Sequence, residues 1–192
     1  MAHLPRDPRG YPIPWTVYRD AAGRAHFTIN DEHRRLQCVL DKRCSICGER
    51  LFPSRLWFVG GPFSAFHERG AYLDPPMHIE CARYSLQVCP YLALASYRGL
   101  ISDRTLSADD PIGLVERTAM PDRPLLFVCA LARDAAMLPS NVIVPARPFL
   151  RVEFWRHGAR LTDAEGMRIA RAELSTRPVE VAPDRIIRTP RR

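Results

Sequence analysis

The sequence predicts a mixed α+β fold, and three observations carry that reading. Two close pairs of Cys/His side chains, Cys44-x2-Cys47 and His78-x2-Cys81, bracket an aromatic, strand-like segment. A continuous apolar run, Leu125-Leu126-Phe127-Val128-Cys129-Ala130-Leu131, reads as a buried strand, and Val142-Ile143-Val144 and Phe149 to Trp155 read as further strands. Thr162-Asp163-Ala164-Glu165 matches a capping box, so a helix should open there and run to about Leu174. The expected whole is a module of hairpin plus helix, joined to a small antiparallel β-sheet with a C-terminal helix.

The chain in order supports this. Residues 1–10 are rich in proline and arginine and read as a flexible arm. Tyr11-Pro12-Ile13-Pro14 is held extended by its prolines. Trp15 to Tyr18 and His26 to Ile29 are β-prone and joined by Ala21-Ala22-Gly23, which predicts a hairpin. Asn30 is the expected N-cap of a helix beginning at Asp31-Glu32, with Leu36, Val39 and Leu40 inward and His33, Arg34 and Arg35 outward. That helix delivers the chain to Cys44.

From Cys44 to Cys81 the residue types point to zinc. Structural Zn²⁺ takes four tetrahedral nitrogen or sulfur ligands, and Cys3His is one of the standard sets. Cys44-x2-Cys47 lets two thiolates reach one ion, and Gly48 relaxes the backbone just after them. His78 and Cys81 are three apart, which places both on one face of a helix expected from about Met77 to Cys89. Pro75-Pro76 sits before that helix and Pro90 ends it. Leu51-Phe52 and Leu56-Trp57-Phe58-Val59 read as strand, with Gly60-Gly61-Pro62 as a turn. Buried free thiols and a Cys-x-x-Cys redox pair are the competing accounts; no thioredoxin-like βαβ pattern surrounds this pair. Cys89 is a rival ligand, but on a continuous helix it lies about 12 Å beyond Cys81, too far to share an ion with it. Cys89 shares the Ala82/Leu86 stripe, and Cys38 and Cys129 have apolar neighbours (Leu36, Val39 and Leu40; Phe127 and Val128), so all three are expected in the core. His67 is a spare ligand or a surface histidine, and His3, His26, His33 and His157 have no partner pattern.

Organisation follows from these pieces: residues 11–100 as the zinc-binding α+β module, 101–124 as a long loop, 125–175 as strands plus helix packing on the first part, and 176–192 as a basic tail. No internal repeat is visible.

Composition bounds the rest. A chain of 192 residues with 46% apolar content is long enough for a real core. No run approaches the roughly 20 apolar residues of a membrane span, and the N-terminus has no apolar h-region of a signal peptide. Six cysteines in unpaired-looking contexts, two of them in the Cys44-x2-Cys47 pair, suit a reducing cytoplasm. The net charge of +7 is uneven: residues 1–43 hold 8 basic against 5 acidic, residues 44–100 hold 5 against 4, and residues 178–192 hold 4 against 2. Of the 28 basic residues 27 are arginine, which a GC-rich genome explains most simply. Any nucleic-acid affinity is therefore expected to be weak, salt-sensitive and carried by the terminal Arg185, Arg188, Arg191 and Arg192.

Two resemblances add to this. The order of Cys pair with glycine, hairpin, then a ligand pair on the first turn of a helix resembles treble-clef zinc modules. The run Gly10-Tyr11-Pro12-Ile13-Pro14-Trp15, Cys44-x2-Cys47-Gly48, Phe58-Val59-Gly60-Gly61-Pro62, Pro75-Pro76-x-His78-x2-Cys81-Ala82 and Cys89-Pro90-Tyr91-Leu92 is similar to an uncharacterised family of bacterial and phage proteins. Trp155 to Thr162 ahead of a Glu-containing helix resembles that family's ending. The resemblance implies His78 and Cys81 as ligands and a phage or prophage origin, and it implies no reaction. The chain departs from the family at Phe66-His67-Glu68-Arg69, where an Asn-Arg pair is expected.

Three functional classes remain. The leading one is a non-enzymatic zinc-stabilised binding protein in the cytoplasm of a bacterium or phage-infected host, meeting a host protein or nucleic acid. The second is a metal-dependent nuclease-like enzyme on a treble clef, for which His67-Glu68 is the one nearby candidate pair. A closed four-ligand shell and the lack of a paired-His motif, Gly-rich phosphate loop or Ser/His/Asp order speak against it. The third is a virion-associated structural protein.

Overall fold

A computed structural model describes residue 1, residues 3–95 and residues 123–176. The expected long loop, apart from residues 123 and 124, and the tail beyond residue 176 lie outside the described residues. Residue 1 and residues 3–10 do not trail as an arm. Arg6 bridges Pro12, the Ile13 amide donates to the Pro5 carbonyl at 2.7 Å, and Leu4 is buried.

The predicted hairpin is present as β1 (Val17–Arg19) and β2 (Ala25–Asn30), paired antiparallel. Helix α1 (Glu32–Leu40) follows, but Asp31 rather than Asn30 caps it, accepting from the Arg34 amide at 3.1 Å. Its faces also differ from expectation. Arg35, Cys38 and Val39 are buried, whereas Leu36 is 42% and Leu40 68% exposed. Arg35 can be buried because carbonyls meet it: Nε donates to Leu73 O at 2.9 Å and Nη2 to Asn141 O at 2.7 Å, while Nη1 pairs with Glu32.

After Cys44–Gly48 the chain forms β3 (Leu56–Gly60) and a short α2 (Pro62–Phe66) where only a turn was expected. Leu51-Phe52 is not strand. Helix α3 (Ile79–Val88) is shorter than the expected Met77–Cys89: Met77 instead bridges Trp57, and His78 is the N-cap. Pro90 does end α3, and it opens α4 (Pro90–Ala93), since a first-turn residue needs no amide hydrogen.

Beyond the undescribed segment come β4 (Phe127–Ala132), β5 (Ala135–Met137), β6 (Ile143–Pro145), β7 (Arg151–Arg156), β8 (Ala159–Arg160) and α5 (Asp163–Thr176). The short β5 and β8 were not expected: Ala135-Ala136-Met137 lacks the β-branched and aromatic residues that mark strands, and Ala159–Arg160 is only two residues long. Strands β3-β4-β7-β8 form one antiparallel sheet in that order, and β5-β6 form a separate pair. The aromatic strand β3 thus pairs with β4, far along the chain, rather than with residues 51–52 in a local hairpin.

Register sorts the sheet's side chains. Trp57, Leu131 and Arg151 form one row, and Val59, Cys129 and Glu153 form the next on the same face. Cys81, Ala82 and Leu86 of α3 share a core cluster with Trp57, Phe127, Cys129 and Trp155. On the opposite face Val128, Ala130 and Phe154 pack with Ala65 of α2 and with Ile169 and Ala170 of α5. Gly166 lets α5 sit this close, because an added Cβ would overlap the Phe154 ring. Helices therefore cover both faces, and α3 presents its N-terminal ligand pair at one end of the sheet.

Candidate metal centre

The first ligand pair is set by a tight backbone loop. Gly48, at φ +76°, donates its amide to the Cys44 carbonyl at 2.8 Å, and the Cys44 amide donates to Glu49 O at 2.8 Å. A side chain at Gly48 would be strained in φ and would meet the Trp15 ring at 2.9 Å. Trp15 and Thr16 hold the loop from the other side, donating their amides to Ile46 O at 2.8 Å and Ser45 O at 3.1 Å.

The second pair is tied to the first by hydrogen bonds across 30 residues. The Ser45 amide donates to Pro76 O at 2.9 Å and its hydroxyl to Pro75 O at 3.2 Å. Met77 and Trp57 exchange amide–carbonyl bonds of 2.8 and 3.2 Å. The two prolines keep residues 75–77 extended and so bring His78 beside the cysteines. Its amide then donates to Cys44 Sγ at 3.4 Å.

Four ligand atoms converge: those of Cys44, Cys47, His78 and Cys81 all lie within 4.8 Å of one another. These are the four residues chosen from sequence, and the cluster could hold a metal ion. The ring of His78 is oriented for this. Nε2 lies 3.0 Å from the carbonyl oxygen of Arg50. A carbonyl can only accept, so Nε2 carries the hydrogen. Nδ1, the free acceptor of the neutral ring with that tautomer, then faces the sulfurs, 3.4 Å from Cys47 Sγ and 3.9 Å from Cys81 Sγ.

With no cation among them the three sulfurs share protons, one thiolate held by two thiols. Hydrogen bonds from Cys44 and then Cys81 draw the half-buried Cys47 thiol far below its ordinary pKa. The same sharing, first through Cys47, pushes Cys44 up to about 11. Hydrogen bonding with Cys44 and Cys47 raises Cys81 as well. Three thiolates cannot coexist this close without a cation among them, and a metal ion held by the cluster would supply it.

The remaining candidates fall elsewhere. Cys89 sits at the junction of α3 and α4, outside the cluster, its thiol pKa raised by burial. Cys38 and Cys129 are fully buried in the core. His67 stacks on Phe63 with centroids 4.2 Å apart, and its Nδ1 accepts the Arg69 amide at 3.1 Å. Arg185, Arg188, Arg191 and Arg192 lie outside the described residues. Among the described residues no helix is long and apolar enough to cross a membrane. The Arg50 carbonyl was not anticipated, since every residue carries one and only folding aims it.

No protein-family model, curated protein or solved structure matches this chain.

Proposed function

We propose that this chain is a non-enzymatic binding protein whose fold is stabilised by a zinc ion held by Cys44, Cys47, His78 and Cys81, and whose partner is a nucleic acid or another protein. The observation that carries the reading is the aimed His78 ring among three sulfurs. Tetrahedral zinc with Zn–S near 2.3 Å and Zn–N near 2.0 Å implies sulfur–nitrogen edges of about 3.5 Å. The two observed edges, 3.4 and 3.9 Å, bracket that value. Thiolate and imidazole together suit zinc over the oxygen-seeking cations.

All four positions of such a shell are protein side chains, two of them buried. A hydrolytic metal keeps a position open for water, so the nuclease-like alternative lacks its central requirement. His67 and Glu68, the pair that alternative would use, hold no place in the cluster. A treble-clef-like description draws support from the Cys44–Gly48 loop and from α3 carrying the second pair. Its weak point is β3, which pairs with β4 rather than in a local hairpin. A phage or prophage origin, and with it residence in a bacterial or infected-host cytoplasm or in a virion, rests on the run of short motifs.

Chelation tests the reading. Treating purified protein with a strong zinc chelator should lower its denaturation midpoint and loosen its near-UV signal, and zinc should restore both. Folding unchanged by complete metal removal, or zinc- or magnesium-dependent DNA hydrolysis lost with the cluster, would defeat it.

A further inference from the structure

Strand alternation in β7 places Arg151, Glu153 and Trp155 on the face covered by α3. Glu153 is fully buried, and a lone carboxylate there would be costly. Arg83 of α3 answers it with two bonds, Nε to Oε2 at 3.1 Å and Nη2 to Oε1 at 2.6 Å. Arg151 Nη2 lies 3.1 Å and Arg160 Nη1 3.9 Å from the same Oε1. One carboxylate thus anchors three guanidiniums, whose side chains are 40%, 52% and 43% exposed. Neutralising Glu153 needs one of them. The other two positive charges are held at fixed spacing, with N–H groups that meet no further side-chain or backbone acceptor among the described residues.

Arg83 and Arg151 of this cluster line a cleft of about 420 Å³, which His78 also lines. Trp57 and Leu131, paired across β3 and β4, lie along it, as do Arg55 and Phe52. Arg55 has no ion pair or side-chain hydrogen bond among the described residues, and Phe52 is 68% exposed. Three guanidiniums, those of Arg55, Arg83 and Arg151, line the cleft with one carboxylate, Glu80, and even with the buried Glu153 counted against them positive charge remains in excess. Arg160 stands outside the lining, next to it through Glu153.

We propose that this cleft binds single-stranded nucleic acid, with Arg55 and Arg151 on the phosphates inside it, Arg160 on a phosphate as the strand leaves it, and Phe52 stacked on a base. Guanidinium forks fit phosphate oxygens, and an exposed aromatic beside them supplies the sequence-tolerant platform that single strands use. An acidic peptide would satisfy the arginines but leave the aromatic without a role. A duplex is disfavoured because the cations line a concavity of roughly one ligand-sized unit, within the ~300–1,000 Å³ of small-molecule pockets, rather than a ridge that could enter a groove. The inference deepens the binding-protein reading and chooses its nucleic-acid branch.

The test is fluorescence anisotropy of a labelled ten-residue oligothymidylate with the full zinc-loaded chain at low salt. Unlabelled duplex of equal length and polyglutamate serve as competitors. The terminal arginines contribute a salt-sensitive background common to every variant. Phe52→Ala should weaken binding about fivefold or more. Arg151→Gln with Arg160→Gln should weaken it further and lower the salt slope by about 1.4. Zinc content and thermal midpoint, measured on each variant, separate loss of the cleft from loss of the fold. Duplex should compete at least tenfold less well than unlabelled oligothymidylate. No binding by the unaltered chain, affinities unchanged in both variants, or polyglutamate competing as well as oligothymidylate would each overturn the cleft assignment. None of these three outcomes, with zinc still bound, touches the proposal of a zinc-stabilised fold.

Discussion

His78 Nε2 donates to the carbonyl oxygen of Arg50 across 3.0 Å, and this bond fixes which ring nitrogen faces the three sulfurs. A backbone acceptor behind a ligating imidazole holds both its tautomer and its orientation. In the zinc-loaded protein, long-range proton–nitrogen spectra should show His78 protonated at Nε2 and metal-bound at Nδ1. A proton on Nδ1 would contradict the arrangement.

Gly166 sits where α5 crosses β7, and alanine there sets two effects against each other. Helix propensity favours alanine by about 1 kcal/mol. The added Cβ, however, overlaps the Phe154 ring, and overpacking of this kind costs about 1–3 kcal/mol. Packing should win, so Gly166→Ala should lower the urea midpoint. A raised midpoint would mean that α5 does not lie this close to the sheet.

Thr162 should cap α5, as its Oγ1 accepts from the Glu165 amide at 3.3 Å. Thr162→Ala should cost about 1 kcal/mol, read as a shift in denaturation midpoint. An unchanged midpoint would remove the cap.

Glu153 gives the protein an acid-sensitive contact. Burial by itself would raise its carboxyl, but the hydrogen bonds and charge of Arg83, with the charges of Arg160 and Arg151, hold it below the ordinary value of 4.5. A depressed folded-state pKa contributes stability above the unfolded value and loses it as pH falls through the folded one. Glu153→Gln should therefore be less stable than the unaltered chain at neutral pH, and the gap should narrow as pH falls below about 4.5. A gap that is constant with pH, or that widens in acid, would show that Glu153 is not held charged by its arginines.

Local chemistry made much of this legible from sequence. Cys44, Cys47, His78 and Cys81 were found because metal geometry demands close pairs. Thr162 was found because a cap is a short-range bond, and β4 because seven consecutive apolar residues need burial. What stayed hidden depended on distant partners. Arg35 looked like a solvent-facing helix residue until the carbonyls of Leu73 and Asn141 met it. Leu36 and Leu40 matched an inward stripe, yet the core lies on the side of Cys38 and Val39. Glu153 stood on a legible strand, but nothing local says that Arg83, 70 residues earlier, would let it be buried. Strand β3 was placed correctly, while its partner β4 was beyond any local signal.

Zinc stoichiometry measured on three purified chains tests the central claim most directly. The unaltered protein and Cys89→Ser should each hold about one zinc per chain, and Cys81→Ser should hold none and lose its cooperative unfolding. Full zinc in the Cys81→Ser chain with none in the Cys89→Ser chain would contradict the account.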